Sequence, residues 1–152
     1  MLINSFEHNV DAKGRVFIPA KWREDFGDTV VATRGMTGGG ENRCLFVMPL
    51  RVWNEIIERF NRIPISDVRA QNAMRSILSS ACECDLDKQG RALISDALWK
   101  YAGVEKDAVL IGMGNRAEVW SAQRWQEYCN TQEQAGQETG LEMLSYLSEL
   151  GI

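Results

Sequence analysis

The segment Asp11–Arg15 reads DAKGR and leads into the apolar run Val16–Ile18, after which Pro19 is well placed to begin a helix. The arrangement returns at Asp87–Arg91, which reads DKQGR and leads into Ala92–Ile94. Glycine adopts the positive φ that a tight turn needs. An arginine after it offers a fork of donors suited to phosphate oxygens or to N7 and O6 of guanine. We therefore predict that both turns contact DNA and that both arginines point outwards.

The similarity between the two halves extends beyond these turns. Glu83–Asp87 aligns with Glu7–Asp11 at an offset of 76 residues, and Ala117–Trp120 aligns with Leu45–Met48 at an offset of 72 because the second connection is shorter. A repeated unit is a far more specific signal than either pentapeptide. One half buries too little apolar surface to be stable alone. We predict an α+β fold in which two pseudo-symmetric half-repeats share a β-barrel-like core with short peripheral helices.

Four segments follow from this pattern. We predict a first repeat over 1–62, a linking helix over 63–80, a second repeat over 81–130 and an acidic C-terminal tail over 131–152. In the tail, Gly136 and Gly140 each cost about 1 kcal/mol relative to alanine in a helix. We therefore expect a mobile or contact-dependent end, although leucines recur there at helical spacing: Leu141, Leu144, Leu147 and Leu150.

Local patterns predict several elements within the repeats. The continuous apolar run Cys44–Met48 indicates a strand buried on both faces. Trp53 belongs to the apolar stripe of the next helix, so we predict a core position rather than a stacking platform. Ser66 is the candidate N-cap of the linking helix. Gly38–Gly40 lacks the lysine and hydroxyl residue that end a P-loop, and we interpret it as a flexible loop.

Charge is unevenly distributed along the chain. The net charge is −4, but residues 127–152 contain five acidic residues and no lysine or arginine, so the remainder carries +1. This balance permits local basic turns without predicting DNA binding by itself. No apolar run approaches the roughly 20 residues that span a bilayer, and Met1–Ser5 does not resemble a signal peptide. We expect a cytoplasmic protein without membrane contact.

The cysteines are better explained as small buried residues than as a chemical site. We expect Cys82 and Cys84 to point to opposite faces of a strand and not to form a disulfide. A zinc site would need Cys82, Cys84, Cys129 and the single histidine, His8, and no C-x-x-C pair is present. We predict no cofactor and no metal.

An enzyme is the least favoured class. Asp11 and Asp87 could form a carboxylate pair, and Cys82 or Cys129 could act as a nucleophile, but no set of nucleophile, base and orienting residue is visible. Each aspartate more simply caps its own turn through local hydrogen bonds. We predict no catalysis.

A chain-long series of motifs resembles the MraZ family of bacterial transcriptional regulators, whose halves are similar to the AbrB-type swapped-hairpin domain. The resemblance covers about residues 1–130. Its marks are Asp11–Arg15 with Ile18–Ala20, Thr33–Gly35, Cys44–Phe46, Pro49–Leu50 with Trp53, Glu83–Arg91, Tyr101–Gly103 and Gly114–Arg116.

The resemblance implies a non-enzymatic, nucleoid-associated repressor that assembles into a ring of about eight subunits. It implies binding to G-rich direct repeats in double-stranded DNA upstream of its own division and cell-wall operon. The implied DNA-binding residues of the first turn are Lys13, Gly14 and Arg15. Those of the second turn are Lys88, Gly90 and Arg91, with Gln89 in place of the family's lysine. The first turn carries the fuller motif, so we rank it above the second.

Two departures and one alternative accompany this interpretation. Gly38–Asn42 resembles an insertion, and Ser95–Asp96 stands where the family commonly has Ile-Pro, although Ser95 can cap the helix instead. The alternative function is an antitoxin-like or structural protein-interaction module. In that case the tail with its leucines would bind the partner.

Overall fold

The computed structural model describes residues 1–36, 40–134 and 137–151, so Gly38, Gly39 and Gly136 of the predictions above lie outside the described residues. The strands are β1 (Ser5–Asn9), β2 (Arg15–Phe17), β3 (Thr29–Arg34), β4 (Leu45–Pro49), β5 (Cys82–Asp85), β6 (Arg91–Leu93), β7 (Asp107–Gly112) and β8 (Ala117–Ser121). The helices are α1 (Arg23–Phe26), α2 (Leu50–Asn61), α3 (Val68–Leu78), α4 (Asp96–Ala102), α5 (Ala122–Gln134) and α6 (Gln137–Glu149), and short 3-10 turns cover Ala20–Trp22 and Gly40–Asn42.

A six-stranded sheet joins the two halves of the chain. Its order is β1-β7-β8-β4-β3-β5, and every neighbouring pair is antiparallel. The first strand of each half pairs with the other half, because β1 lies beside β7 and β5 lies beside β3. The α+β prediction is confirmed. The described strands do not show the barrel-like closure that we expected, because β1 and β5 are the two edges of an open sheet.

A separate two-stranded ribbon is formed by β2 and β6, one strand from each half. Val16 lies opposite Ala92 in this antiparallel pair, and both are buried. The flanking pairs are Arg15 with Leu93 and Phe17 with Arg91. Because paired residues share a face and alternate along a strand, these four side chains lie together on the outer face of the ribbon.

Apolar side chains cover both faces of the six-stranded sheet. One cluster joins the sheet to the ribbon and to α4, and it includes Val30, Leu45, Ile18, Ile94 and Trp99. The second cluster lies on the opposite face and includes Val31, Phe46, Met48, Val52 and Trp120. Full burial of one such side chain contributes about 1.5–3 kcal/mol to folding. The prediction that the Cys44–Met48 strand is buried on both faces is confirmed.

The local predictions have mixed outcomes. Trp53 packs against the second cluster, which confirms its core position. Ser95 caps α4, since its hydroxyl accepts a hydrogen bond from Leu98 N at 3.4 Å. The prediction of Ser66 as an N-cap is wrong: Asp67 caps α3, and its carboxylate accepts from Ala70 N at 3.0 Å. Aspartate and serine cap comparably well, so propensity could not choose between adjacent candidates.

The side chains of Cys82 and Cys84 are not oriented as we predicted. Residues two apart on a strand share a face, and the Sγ atoms of Cys82 and Cys84 lie 3.5 Å apart as free thiols. The expectation of opposite faces was therefore wrong. Among the described side chains, no three His, Cys, Asp or Glu residues group as metal ligands. The helices seen in the described ranges are too short or too polar to cross a bilayer.

Candidate nucleic-acid interface

Two nearly identical turns stand at the ends of the β2–β6 ribbon. In the first turn, Asp11–Arg15, the Asp11 carboxylate accepts hydrogen bonds from Lys13 N at 3.0 Å and from Arg15 N at 2.9 Å. In the second turn, Asp87–Arg91, the Asp87 carboxylate accepts from Gln89 N and from Arg91 N, both at 2.9 Å. The prediction that each aspartate caps its own turn is confirmed. These bonds fix the backbone that carries each arginine.

The glycine in each turn is required by backbone geometry. Gly14 has φ +88° and Gly90 has φ +78°, values that side-chain-bearing residues rarely adopt. The N–H of each glycine donates to the carbonyl of its turn's aspartate, at 3.0 Å for Gly14 and 2.9 Å for Gly90. The tight turns that the sequence predicted are therefore present in both halves.

The arginines are held differently from our expectation. Arg15 Nε donates to Asp11 Oδ2 at 2.6 Å, and Arg91 Nε donates to Asp87 Oδ2 at 2.8 Å. Their side chains are 28% and 22% exposed. Both arginines lie on the outer face of the ribbon, but the outward-pointing donors that we expected are partly engaged, because the same carboxylate that caps the turn also binds the guanidinium of the residue four positions later. Within the described residues, the terminal guanidinium nitrogens of Arg15 and Arg91 make no hydrogen bond.

The capping bonds also set the ionisation of the two aspartates. The backbone N–H of Arg15 is the main influence that holds the pKa of Asp11 below its ordinary value, and the Arg15 side chain adds to it. The backbone N–H and side chain of Arg91 lower the pKa of Asp87 in the same way. Both carboxylates are therefore anionic at neutral pH, and each offsets the positive charge of its arginine.

The two turns face the same side of the molecule. Arg15 and Arg91 occupy diagonal positions on the outer face of the ribbon, a relationship that places their Cα atoms about 7–8 Å apart. Arg91 Nη1 also lies 3.8 Å from Asp11 Oδ2, so an electrostatic contact joins the turns directly. Lys13 and Lys88 are exposed beside them. The six predicted site residues therefore lie on two turns at the two ends of one ribbon, and their contact with DNA stays a prediction: Lys13, Gly14, Arg15, Lys88, Gly90 and Arg91.

Each turn is supported by a residue from the other half of the chain. Trp99 Nε1 donates to the Gly14 carbonyl at 3.0 Å, and Arg23 Nη2 donates to the Gln89 carbonyl at 3.1 Å. We name this pair of contacts the crossed brace. The backbone reinforces it, since Ile18 N donates to Gly90 O at 2.9 Å. Symmetrically, Ile94 N donates to Gly14 O at 3.1 Å.

Sequence reasoning missed both members of the crossed brace. Arg23 and Trp99 are separated by 76 residues, the same offset that relates the turns. Each lies five positions after the isoleucine that directly follows its ribbon strand. Alignment of the repeats would have marked them as equivalent. It would not have shown that each one supports the turn of the opposite repeat.

Comparison with known proteins agrees with the duplicated architecture. A family model described as "MraZ protein, putative antitoxin-like" matches residues 1–76 and again residues 77–144, and the division between the matches falls within α3. The finer division into 1–62, 63–80, 81–130 and 131–152 stays a prediction.

Relatives of similar length match the chain from end to end. A protein named "Transcriptional regulator MraZ" from Halothermothrix orenii is 40% identical over 152 residues, covering 100% of both chains. A protein of the same name from Carboxydothermus hydrogenoformans is 38% identical and covers 97% of this chain and 99% of its own. A third, from Thermoanaerobacter sp., is 40% identical and covers 100% of both chains. On the evidence of the two family matches and these full-length relatives, the chain belongs to the MraZ family.

Proposed function

We propose that this protein is a sequence-specific DNA-binding transcriptional regulator and that the outer face of the β2–β6 ribbon enters the major groove. The relatives named above are transcriptional regulators by name, which supports this class over an enzyme. We further propose that it represses its own division and cell-wall operon, in the cytoplasm and associated with the nucleoid. The target is double-stranded DNA with G-rich direct repeats.

The observation that carries the proposal is the convergence of both arginine turns on one ribbon face. The major groove accommodates a two-stranded β-ribbon, and its guanine edge offers the N7 and O6 acceptors that arginine prefers. Arg15 and Arg91 keep their terminal nitrogens available because each aspartate binds Nε. Lys13 and Lys88 stand at the tips of the turns, where phosphates flank a groove.

Direct repeats in the target fit an assembly that presents this face more than once. A ring of about eight subunits places identical ribbon faces at regular intervals, so neighbouring subunits can bind successive repeats of one duplex. Linked binding of this kind raises affinity beyond that of one subunit. A ring of a different size changes the spacing of the repeats without changing the residues that read them.

The proposal is tested by equilibrium binding to a duplex from the protein's own upstream region across a salt series. Arg15→Ala and Arg91→Ala are expected to weaken specific binding by about 1–3 kcal/mol each and to relax the preference for guanine. Arg15→Lys keeps the charge but loses the planar fork, so it should retain salt-dependent binding with less base discrimination.

Arg51→Ala is the matched control, because Arg51 is an exposed arginine on α2, which packs on the other face of the six-stranded sheet. The control should bind as the parent protein does. Circular dichroism must show that every variant is folded. Unchanged affinity and base preference in both Arg15→Ala and Arg91→Ala would overturn the proposal.

A second candidate function is an antitoxin-like protein-interaction module, and the exposed leucines of α6 favour it. Leu141, Leu144, Leu147 and Leu150 are 70%, 65%, 42% and 59% exposed, so their apolar surface is available to a partner. A chain truncated after Gln134 distinguishes the two functions. If that truncation abolishes the cellular effect but spares binding to the upstream duplex, the interaction module is the primary function.

A further inference from the structure

The side chain of Arg23 reaches from α1 to the second turn and covers it. Arg23 Nε donates to the carbonyl of Ile18 at 3.2 Å, and Arg23 Nη2 donates to the carbonyl of Gln89 at 3.1 Å. The guanidinium fills the space beside Gly90 so completely that a Cβ on this glycine would overlap it. The second turn is therefore built from its own five residues together with a cation from the first repeat.

This cation stands beside the third position of the second turn, where the turn itself has no charged side chain. The first turn has Lys13 at its third position, whereas the second turn has Gln89 there. The second turn carries its lysine one place earlier, at Lys88, and Arg23 adds a further cation at the third position because it contacts the Gln89 main chain directly. At the equivalent place beside the first turn the chain has Trp99, whose indole is neutral. Positive charge is therefore placed differently around the two turns.

The arginines on the ribbon are largely neutralised, and Arg23 is not. Arg91 lies 2.8 Å from Asp87 and 3.8 Å from Asp11, and Arg15 pairs with Asp11. In the described part of the chain, no carboxylate lies within 4.0 Å of the Arg23 guanidinium, and its side chain is exposed. Its Nη1 atom makes no hydrogen bond within the described residues. Arg23 therefore offers an uncompensated charge and unused donors.

We infer that Arg23 binds a backbone phosphate of duplex DNA beside the second turn and adds a cation at the third position, where Gln89 carries no charge. Arg23 lies beside the ribbon, on α1, rather than on the outer face that enters the groove. Groups flanking an element in the groove meet sugar and phosphate, and such contacts fix register without reading sequence. This inference rests on the proposed function and deepens it. It also makes the second turn the stronger phosphate-binding turn, contrary to the ranking from motif completeness.

The salt dependence of DNA binding tests the inference. Log K falls with log salt concentration with a slope of about −0.9 for each neutralised phosphate of B-DNA. In the full-length protein, Arg23→Gln should make this slope shallower by about 0.9. Affinity for the upstream duplex and for a scrambled duplex of equal length should fall by the same factor, because a phosphate contact carries no sequence information.

Two variants separate charge from structure. Arg23→Lys retains the charge and loses the planar fork that binds the two carbonyls, so it should keep the parental slope. Arg51→Gln removes one charge on α2 and should leave the slope unchanged. If Arg23→Lys shows the same shallow slope as Arg23→Gln together with a lowered melting temperature, Arg23 is a structural brace only and the inference is wrong.

The remaining outcomes distinguish this inference from the proposed function. If the parent protein binds the duplex, Arg15→Ala weakens binding and Arg23→Gln keeps the parental slope, the inference fails and the proposed function stands. If the parent protein shows no salt-dependent binding to duplex DNA, both fail. A loss in Arg23→Gln that is confined to the upstream duplex would show base reading instead and would also overturn the phosphate assignment.

Discussion

Trp99 and Gly14 are 85 residues apart in the chain, yet the indole Nε1 of Trp99 donates a 3.0 Å hydrogen bond to the Gly14 carbonyl. The contact ties α4 of the second repeat to the arginine turn of the first. Trp99 is also 4% exposed and belongs to the larger apolar cluster. The turn that we propose to read DNA is therefore anchored in the core by the Trp99 side chain of the other half.

Replacing the indole should affect both stability and binding. Trp99→Phe removes the hydrogen bond and part of the buried volume, and we expect it to lower the free energy of unfolding by about 1–2 kcal/mol. DNA affinity should fall several-fold because Arg15 sits on the released turn. Trp22→Phe is the matched control, since Trp22 Nε1 donates to Ile3 O at 3.0 Å and is also buried. Urea unfolding and duplex titration should show a similar stability loss for the control without the loss of affinity.

A second prediction concerns the space around Gly14. A positive φ costs an L-residue about 1–2 kcal/mol, and Gly14→Ala should pay this cost. An added Cβ would also lie 3.0 Å from Ile94 O and 3.3 Å from Trp99 Nε1. Gly114→Ala has comparable strain at φ +85° but opens into free space. Gly14→Ala should therefore be destabilised by about 1 kcal/mol more than Gly114→Ala. Equal unfolding midpoints would contradict the close packing.

The pH dependence of stability should follow the capping aspartates. The pKa of Asp11 and of Asp87 is lowered in the folded protein, so the folded state binds fewer protons than the unfolded state as pH falls. Their stabilisation is complete above the unfolded pKa, near 3.8, and is lost as pH falls through the folded values. The stability difference between the parent and Asp87→Asn should shrink with acidification below this point. A constant difference down to pH 2.5 would exclude an ionic contribution.

Cys82 should react faster than the buried Cys44. A hydrogen bond from the Cys84 thiol lowers the pKa of Cys82, whereas burial raises the pKa of Cys44 to about 12. Thiolates are the reactive form, so iodoacetamide at pH 7 should modify Cys82 before Cys44. Cys84→Ala should slow the reaction at Cys82. Peptide mass spectrometry over time checks this order, and equal rates at Cys44 and Cys82 would contradict it.

Removing α6 should leave the body of the protein intact. Its leucines are between 42% and 70% exposed, so they contribute little to the core of the chain described here. Truncation after Gln134 should change the free energy of unfolding by no more than about 0.5 kcal/mol, the usual range for surface changes. Circular dichroism should show less helix with the same melting temperature. A marked fall in melting temperature would show that the helix packs on the body or on another subunit.

Features governed by neighbouring residues could be predicted from the sequence. The two Asp-Gly turns and the serine cap at Ser95 each depend on bonds within a few residues. The repeat offset also placed equivalent strands correctly. These predictions needed only turn chemistry and alternation of apolar residues.

Features governed by contact between the halves could not be predicted in the same way. No short-range sequence pattern indicates that β1 pairs with β7, or that Arg23 supports the turn at Gly90. The ion pair between each arginine and its aspartate could have been predicted from the sequence. Asp11 and Arg15 are four residues apart on a turn whose ends meet. The cysteine error had a similar origin, since two-residue alternation already places Cys82 and Cys84 on one face.

The two members of the crossed brace can change independently of each other in the course of evolution. In a homodimer of single repeats, one codon would specify the supporting residue on both sides of the axis, and any change would alter both turns together. Here two codons specify positions 23 and 99, and they encode arginine and tryptophan. Because the two halves are joined in one chain, one ribbon carries two unlike ends, and the DNA binding proposed above would have a defined polarity.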